Sequence, residues 1–468
     1  MALQAATTIV LRLPEIVGPA FVRLDAESLR TYGVDALGKG HSPDVVVIPA
    51  NTEQIASIAR LCNSERVPLV VRGAGTGFTG GAVPTCGGVL LSMERLNRIL
   101  EIDELNLLAV VEPNVINADL QNAVEKRGLF YPPDPASLNQ SSIGGNVAEC
   151  AGGPRAFKYG TTKRYVLALE AVLPTGEVIH TGSKAVKNVV GYDLTQLLVG
   201  SEGTLAIITK VTLRLLPKPP ANATMLATFA GIRSAVDAVS ELIRRRVVPT
   251  ALELIDSDAL QAIEANLGGG LVPPGTGAAL IVEVDGTRRG VQEDLDQVID
   301  ACRTVAAKEI TRARDEAERD RIWSLRRQTS VALKATGLIK INHDVVVPKG
   351  RVPELFDVIA EMKQAYTLRV AAFGHAGDGN IHVNLLITPG DADEAARAKE
   401  AERFLFTRVV ALEGSISGEH GIGFAKAAYL PIELSSDQIA LMKRVKAAFD
   451  PNGILNPGKI FPSDSIST

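Results

Sequence analysis

Histidine is scarce in this chain, six in 468 residues, and half of it falls between positions 375 and 420: His375, His382 and His420. The first two bracket GHAGDGNIHVNLL, and the third stands in SGEHGIG beside Glu419. RVAAF and IHVNLLI read as strands, with Ala376-Gly377-Asp378-Gly379-Asn380 as turn chemistry between them. A turn there folds the chain back and can aim both imidazoles into one site. The glycine-flanked turn at 417–423 adds a carboxylate and a third imidazole. Two histidines and a carboxylate, with a position left for substrate, are the ligand set of a catalytic divalent metal such as Zn²⁺.

Glycine carries the second chemical signal. Eighteen of 42 glycines lie between Gly73 and Gly203. The densest piece, RGAGTGFTGGAVPTCGG at 72–88, directly follows the strand-like PLVV. Without a Cβ, its backbone N–H groups can turn toward a diphosphate, and positive φ is open to it. Gly75-x-Gly77-x-x-Gly80 matches the dinucleotide fingerprint in letters only. That loop must open a helix, whereas here Pro84, Gly87 and Gly88 lead into another strand, VLLS. The expectation is a diphosphate-binding loop that is not a Rossmann NAD site. A second small-residue segment runs through 132–162. In it Gly144-Gly145-Asn146 and Ala151-Gly152-Gly153 would bring backbone against a flat polar ligand, with Ser137, Ser141, Ser142 and Asn146 bonding its polar edges. A third glycine turn follows at Glu202-Gly203. Three such turns suit an extended ligand, FAD, better than a mononucleotide.

The elements that position these turns begin as βαβ: DVVVIP, then a helix capped at Asn51 or Thr52 with Ile55, Ile58, Ala59 and Cys62 on one face, then PLVV. Strands and glycine turns recur to about residue 215, where RLLPKPPANA reads as a Pro-rich linker. Beyond it, TMLATF and AALIVEV alternate with helical GIRSAVDAVSELIRR and RRGVQEDLDQVIDACRTV, an α+β pattern. Longer helices are expected around 309–335 and 391–413. A last one at 437–449 is stopped by Pro451 and Gly453.

Taken in order, RGAGTGFTGG, PPDPASLNQSSIGGNVAECAGG, KYGTT, NVVGYDLTQLLVGSEGTLAIIT and FDPNGILNPGKIF resemble the vanillyl-alcohol-oxidase/PCMH superfamily of flavoproteins. Within it, the chain is similar to the group of glycolate oxidase GlcD, D-lactate dehydrogenase and D-2-hydroxyglutarate dehydrogenase, over residues 41–461. The resemblance implies an α+β chain with a PCMH-type FAD-binding domain at 41–220 and an FAD-linked oxidase C-terminal substrate domain at 221–461. It implies that Arg72, Gly73, Ala74, Gly75, Thr76, Gly77, Gly80 and Gly81 line the flavin. So do Pro133, Asp134, Pro135, Ser137, Ser141, Gly144, Gly145, Asn146, Gly152, Gly153, Tyr159, Gly160, Glu202, Gly203, Ile208 and Asn456. No histidine stands between Arg72 and Gly88, so FAD is expected to be non-covalent. In the hydroxyglutarate branch, the residues matching His375, His382 and Glu419 hold zinc and the one matching His420 is the base. The resemblance also makes Arg326, in Trp323-Ser-Leu-Arg, a fork for the substrate carboxylate, with Arg327 where many members have glutamate. Asn384, two after His382 on the same strand face, is a further expected substrate contact.

The implied reaction is oxidation of a D-2-hydroxy acid, glycolate or D-lactate, to the 2-keto acid. Rival readings are D-2-hydroxyglutarate oxidation, an FAD-bearing relay subunit of a larger oxidase, and a redox-neutral alkyl-dihydroxyacetone-phosphate synthase. Composition narrows the classes. Lys+Arg 49 against Asp+Glu 53, net charge −4, leaves no basic footprint for nucleic acid. Cys62, Cys86, Cys150 and Cys302 stand apart without a C-x-x-C pair, arguing against a disulfide framework or an iron–sulfur site within this chain. MALQAATTIVLRLPEIVG lacks the layout of a signal peptide, and no 18-residue apolar run occurs. The expectation is a cytoplasmic protein, reaching a membrane only through a partner, in a homo- or hetero-oligomer. Reduced flavin needs an acceptor: an iron–sulfur subunit, an electron-transfer flavoprotein, a quinone or a cytochrome.

Overall fold

The computed structural model describes residues 2–270 and 272–462. It divides into two compact units, one of 1–151, 161–218 and 419–468 and one of 152–160 and 219–418. The main break falls near the Pro-rich linker. Two features differ from a simple division at 220/221: the described residues from 419 on return to the first unit, and 152–160 join the second. The return is fixed by main-chain bonding, because Leu69 N donates to Ile454 O at 2.8 Å and Asn456 N to Leu69 O at 2.8 Å.

The first unit opens with β1 (Val22–Arg23), β2 (Val45–Val47), β3 (Leu69–Arg72) and β4 (Val89–Ser92), ordered β1-β2-β4-β3 with the last three parallel. The helix Thr52–Glu65 joins β2 to β3; Asn51 caps it by accepting from Gln54 N, and Ile55, Ile58, Ala59 and Cys62 face the core. Each such isoleucine contributes roughly 1.5–3 kcal/mol by leaving water. Next come β5 (Ile99–Asp103), β6 (Leu108–Val111), a short β7 (Leu129–Phe130), β8 (Val166–Val172), β9 (Val178–Gly182), β10 (Ile207–Arg214) and β11 (Leu216–Pro217). Five of them form an antiparallel sheet, β5-β6-β10-β8-β9, and β11 pairs with β7.

The second unit is built on one seven-stranded antiparallel sheet. Its strands are β12 (Ala221–Phe229), β13 (Ala251–Asp256), β14 (Ala278–Gly286), β15 (Glu309–Arg312), β16 (Ile339–Val346), β17 (Arg369–His375) and β18 (Asn380–Ile387). Their order is β15-β12-β14-β13-β17-β18-β16. Helices Ser257–Leu267 and Glu316–Ala335 cover one face, burying Leu260, Ile263, Leu325 and Leu333 against Ile281, Ile255 and Phe373. The helix expected from 309 begins only at Glu316. Residues 309–312 pair with β12 instead, and Asp315 starts the helix by accepting from Glu318 N. Every cysteine is a free thiol. Among the described residues no helix is long and apolar enough to cross a membrane.

Candidate active site

Register explains why two histidines of one hairpin share a face. In the β17–β18 pair Phe373 stands opposite His382, and His375 opposite Asn380. Side chains two apart on a strand point the same way, so His375, Phe373 and His382 project together. The imidazoles lie 5.4 Å apart between centroids, at 81°. The turn depends on Gly379, whose φ is +86° and where a Cβ would stand 2.0 Å from Val347 O. Asp344 on β16 lies opposite His382 and accepts from Gly418 N at 2.9 Å, closing off the second unit one residue before Glu419. This brings a Glu419 oxygen and one nitrogen each of His375 and His382 within 4.8 Å of one another. Two imidazoles and a carboxylate at that spacing fit a divalent metal by donor chemistry.

Strand pairing also delivers a residue that the sequence reading missed. Glu253 on β13 lies directly across from His375, is fully buried, and receives His375 Nδ1 at 2.6 Å on Oε1. Its other oxygen accepts Arg326 Nε at 2.5 Å. Burial pushes the Glu253 carboxyl up, but His375 and Arg326 outweigh it and hold it at about 2. The available signal was an acid between Leu252 and Leu254 in the middle of the strand ALELID.

Arg326 stands on helix Glu316–Ala335, buried, with its guanidinium 4.8 Å from the centre of the Phe373 ring. That helix is fixed two turns earlier by another buried sheet carboxylate, Glu283. It accepts Trp323 Nε1 at 3.0 Å, Arg319 Nε at 3.0 Å and Thr224 Oγ1 at 2.7 Å. Arg319, Trp323 and Arg326 recur at helical spacing, so one face of the helix is bound to the sheet through two acids. On the facing strand β16, Lys340 bonds Ser330 Oγ at 2.6 Å, and burial lowers its ammonium to about 8.

Asn384, expected to touch substrate, is bonded within the sheet. It is fully buried, its Nδ2 donates to Ala371 O at 3.2 Å and His382 O at 3.1 Å, and its Oδ1 accepts from Asn342 at 2.8 Å. Those bonds use its amide to tie the central strands together, which supports His382 from beneath.

In the first unit, His420 lies beside the first glycine loop. Thr79 Oγ1 donates to its carbonyl at 3.1 Å, and its ring stands 5.4 Å from that of Phe78. The turn carrying it hangs on Glu202, whose buried carboxylate accepts Ile422 N at 2.8 Å and Gly423 N at 2.6 Å. Asn456 Nδ2 in turn donates to Gly81 O at 2.9 Å and Glu202 O at 2.7 Å. The side chains of Glu202 and Asn456 thus join the first glycine loop, the third one and the C-terminal segment to one another. Arg72 is similarly engaged, its Nη1 donating to Val34 O at 2.7 Å.

The glycine loops fit a polar, extended cofactor. Gly75 and Gly80 hold φ of +70° and +81°, and Gly77 presents bare backbone, with no atom within 4 Å of where its Cβ would be. Two buried acceptors among the expected flavin contacts, Ser141 Oγ and Asn456 Oδ1, have no protein partner. The PPDP stretch is held by amides: Asn117 Nδ2 and Gln121 Nε2 both reach Pro133 O, at 3.0 and 2.9 Å, and Asn146 Nδ2 reaches Asn117 Oδ1 at 3.1 Å. Gly144 packs its α-carbon so closely on Pro113 that a Cβ would stand 2.5 Å from the ring's Cβ. Ile208 is buried on β10. Gly152, Gly153, Tyr159 and Gly160, also expected along the flavin, belong to the second unit, where the Tyr159 hydroxyl donates to Asp285 at 2.8 Å.

Comparison with known proteins places this architecture. Residues 43–182 match the family model "FAD binding domain", and residues 218–460 match "FAD linked oxidases, C-terminal domain". The fold superposes on p-cresol methylhydroxylase with TM-score 0.81, over 99% of this chain and 98% of that one, at 18% identity. The class is therefore an FAD-dependent flavoprotein with a PCMH-type cofactor domain. Within it, the chain belongs to the FAD-linked oxidase family. It is 42% identical to the glycolate oxidase subunit GlcD of Bacillus subtilis (strain 168), over 93% of this chain and 92% of that one. It is 36% identical to the D-lactate dehydrogenase of Anaerostipes hadrus, over 89% of each.

Proposed function

We propose that this protein oxidises a D-2-hydroxy acid, glycolate or D-lactate, to the corresponding 2-keto acid. The observation that carries the reading is the buried Arg326, bonded through Nε to Glu253 on the sheet face that also bears His375 and His382. A buried guanidinium whose Nη1 and Nη2 remain for a ligand suits a carboxylate clamp. The names of the GlcD and D-lactate dehydrogenase relatives support the substrate class.

The glycine loops would hold FAD non-covalently, and His375, His382 and Glu419 would hold Zn²⁺; when bound, these groups would supply a two-electron acceptor for the C2 hydride and a Lewis acid for the 2-hydroxyl. The chain does the rest. Arg326 takes the substrate carboxylate in its two Nη groups and fixes C2 in one orientation. His420 accepts the hydroxyl proton as the C–O bond becomes a carbonyl, so proton and hydride leave by different routes. Thr79 and Glu202 hold the turn that aims His420.

As a subunit of a larger oxidase, the protein hands electrons to a companion acceptor, an iron–sulfur subunit, an electron-transfer flavoprotein, a quinone or a cytochrome. It works in the cytoplasm, with any membrane association made through that companion. A relay role alone has no use for a carboxylate clamp and a metal-ligand triad. Anaerobic titration of purified holoprotein with D-lactate and glycolate tests the proposal. Bleaching of the visible flavin band by the D-acids is expected; an unchanged spectrum across a panel of 2-hydroxy acids overturns it.

A further inference from the structure

We infer that Glu253 is a positioning residue that locks the substrate-clamping arginine and a metal-binding histidine into one rigid assembly. The inference rests on the function proposed above and adds a residue to it. Glu253 occupies the middle of a strand whose neighbours Leu252, Leu254 and Ile255 are buried and apolar, a place where an uncompensated carboxylate would be costly. It is compensated twice, with Oε1 on His375 Nδ1 at 2.6 Å and Oε2 on Arg326 Nε at 2.5 Å.

Each bond decides something chemical. With Nδ1 engaged by a carboxylate, Nε2 is the nitrogen that His375 would offer a metal, and the ring cannot turn over without losing the bond to Glu253. With Nε engaged, Arg326 keeps Nη1 and Nη2 as the only free edge of its fork. Phe373, two residues before His375 on the same face, supports the guanidinium at 4.8 Å and stands opposite His382. One acid therefore sets the spacing between the group that would grip the carboxylate and the metal that would meet the hydroxyl one carbon away.

Glu253→Gln in the full-length holoprotein tests this. Glutamine keeps the size but puts an NH₂ against one of two N–H donors, so it can satisfy only one partner. Expected are a 10–100-fold weaker hold on Zn²⁺ in chelator competition and a KM for D-lactate or glycolate raised at least tenfold, with flavin content unchanged. Adding excess Zn²⁺ should return kcat toward the wild-type value while KM stays raised, a split that general loosening of the fold would not give. Glu253→Asp is the companion if the glutamine variant does not fold. It keeps the charge but is one methylene too short to span both partners, and the same two shifts are expected. Wild-type zinc affinity and KM in whichever variant folds overturn the inference alone. A wild-type protein that retains no zinc under the same conditions overturns the metal reading and the inference with it.

Discussion

Glu202 stands in a glycine-rich turn of the kind expected to touch flavin, yet its carboxylate is spent on the turn that carries His420. Its oxygens take Ile422 N at 2.8 Å and Gly423 N at 2.6 Å. A Cβ on Gly421 would stand 3.0 Å from the Glu202 carboxyl, so acid and turn are in van der Waals contact. Thr79 holds the same turn, its Oγ1 donating to the His420 carbonyl at 3.1 Å and its own carbonyl accepting from Phe424 N and Ala425 N at 3.1 and 3.2 Å. Glu202→Gln leaves one acceptor oxygen and sets an NH₂ against the other backbone N–H. A hydrogen bond to a charged group contributes about 1.5–3 kcal/mol. If that loss appears as misplacement of the base, at about 1.4 kcal/mol per tenfold, turnover should fall about 10–100-fold. The assay is steady-state oxidation of D-lactate or glycolate with an artificial acceptor, with flavin content measured alongside. Turnover within twofold of wild type refutes the argument that this carboxylate aims His420. A fall explained wholly by lost flavin refutes it as well, because it would make Glu202 a cofactor residue.

Other consequences can be checked independently. His420→Ala should lower kcat by roughly 10²–10⁴ with flavin still bound, as expected for a missing general base; a rate near wild type excludes His420 from that role. Gly80→Ala places a Cβ 2.0 Å from the Phe424 ring at a φ of +81°, so thermal unfolding and flavin retention should both suffer, and wild-type values for both would contradict the loop geometry. Burial raises the Asp256 carboxyl from 3.8 to about 7, against the pull of Lys363. The folded chain therefore holds a proton that the unfolded chain has released, and this contribution to stability is lost as pH rises from about 4 to about 7. Relative to Asp256→Asn, the wild type should lose stability across that window and no further above it, measured by denaturant unfolding at several pH values; a wild type that gains stability relative to the variant as pH rises contradicts the assignment.

What could be read in advance was local. AGDGN between two strand-like runs contains its own turn, so His375 and His382 were paired from six intervening residues of chemistry. The glycine loops were legible because positive φ and close backbone approach leave a mark in residue type. What depended on register was not. Glu253 lies 122 positions from His375, and only the β13–β17 pairing makes them neighbours. Asn384 lay on the expected strand face, but the bonds that consume its amide come from neighbouring main chain and Asn342. The return of 419–468 to the first unit depends on Asn456 and Leu69, partners nearly four hundred residues apart. The bond from the Tyr159 hydroxyl to Asp285 was illegible for a related reason, because Asp285 has no sequence signature pointing back to it.

The central claim is hydride transfer from a D-2-hydroxy acid, aided by a carboxylate clamp. Its most direct test is anaerobic stopped-flow reduction of the bound flavin by D-lactate or glycolate, in wild type and in Arg326→Lys. Rapid bleaching is expected in the wild type and, in the variant, saturation only at far higher acid concentration, because lysine cannot supply two parallel N–H donors. Equal half-saturation in the two proteins, or no bleaching by any D-acid in the wild type, would contradict it.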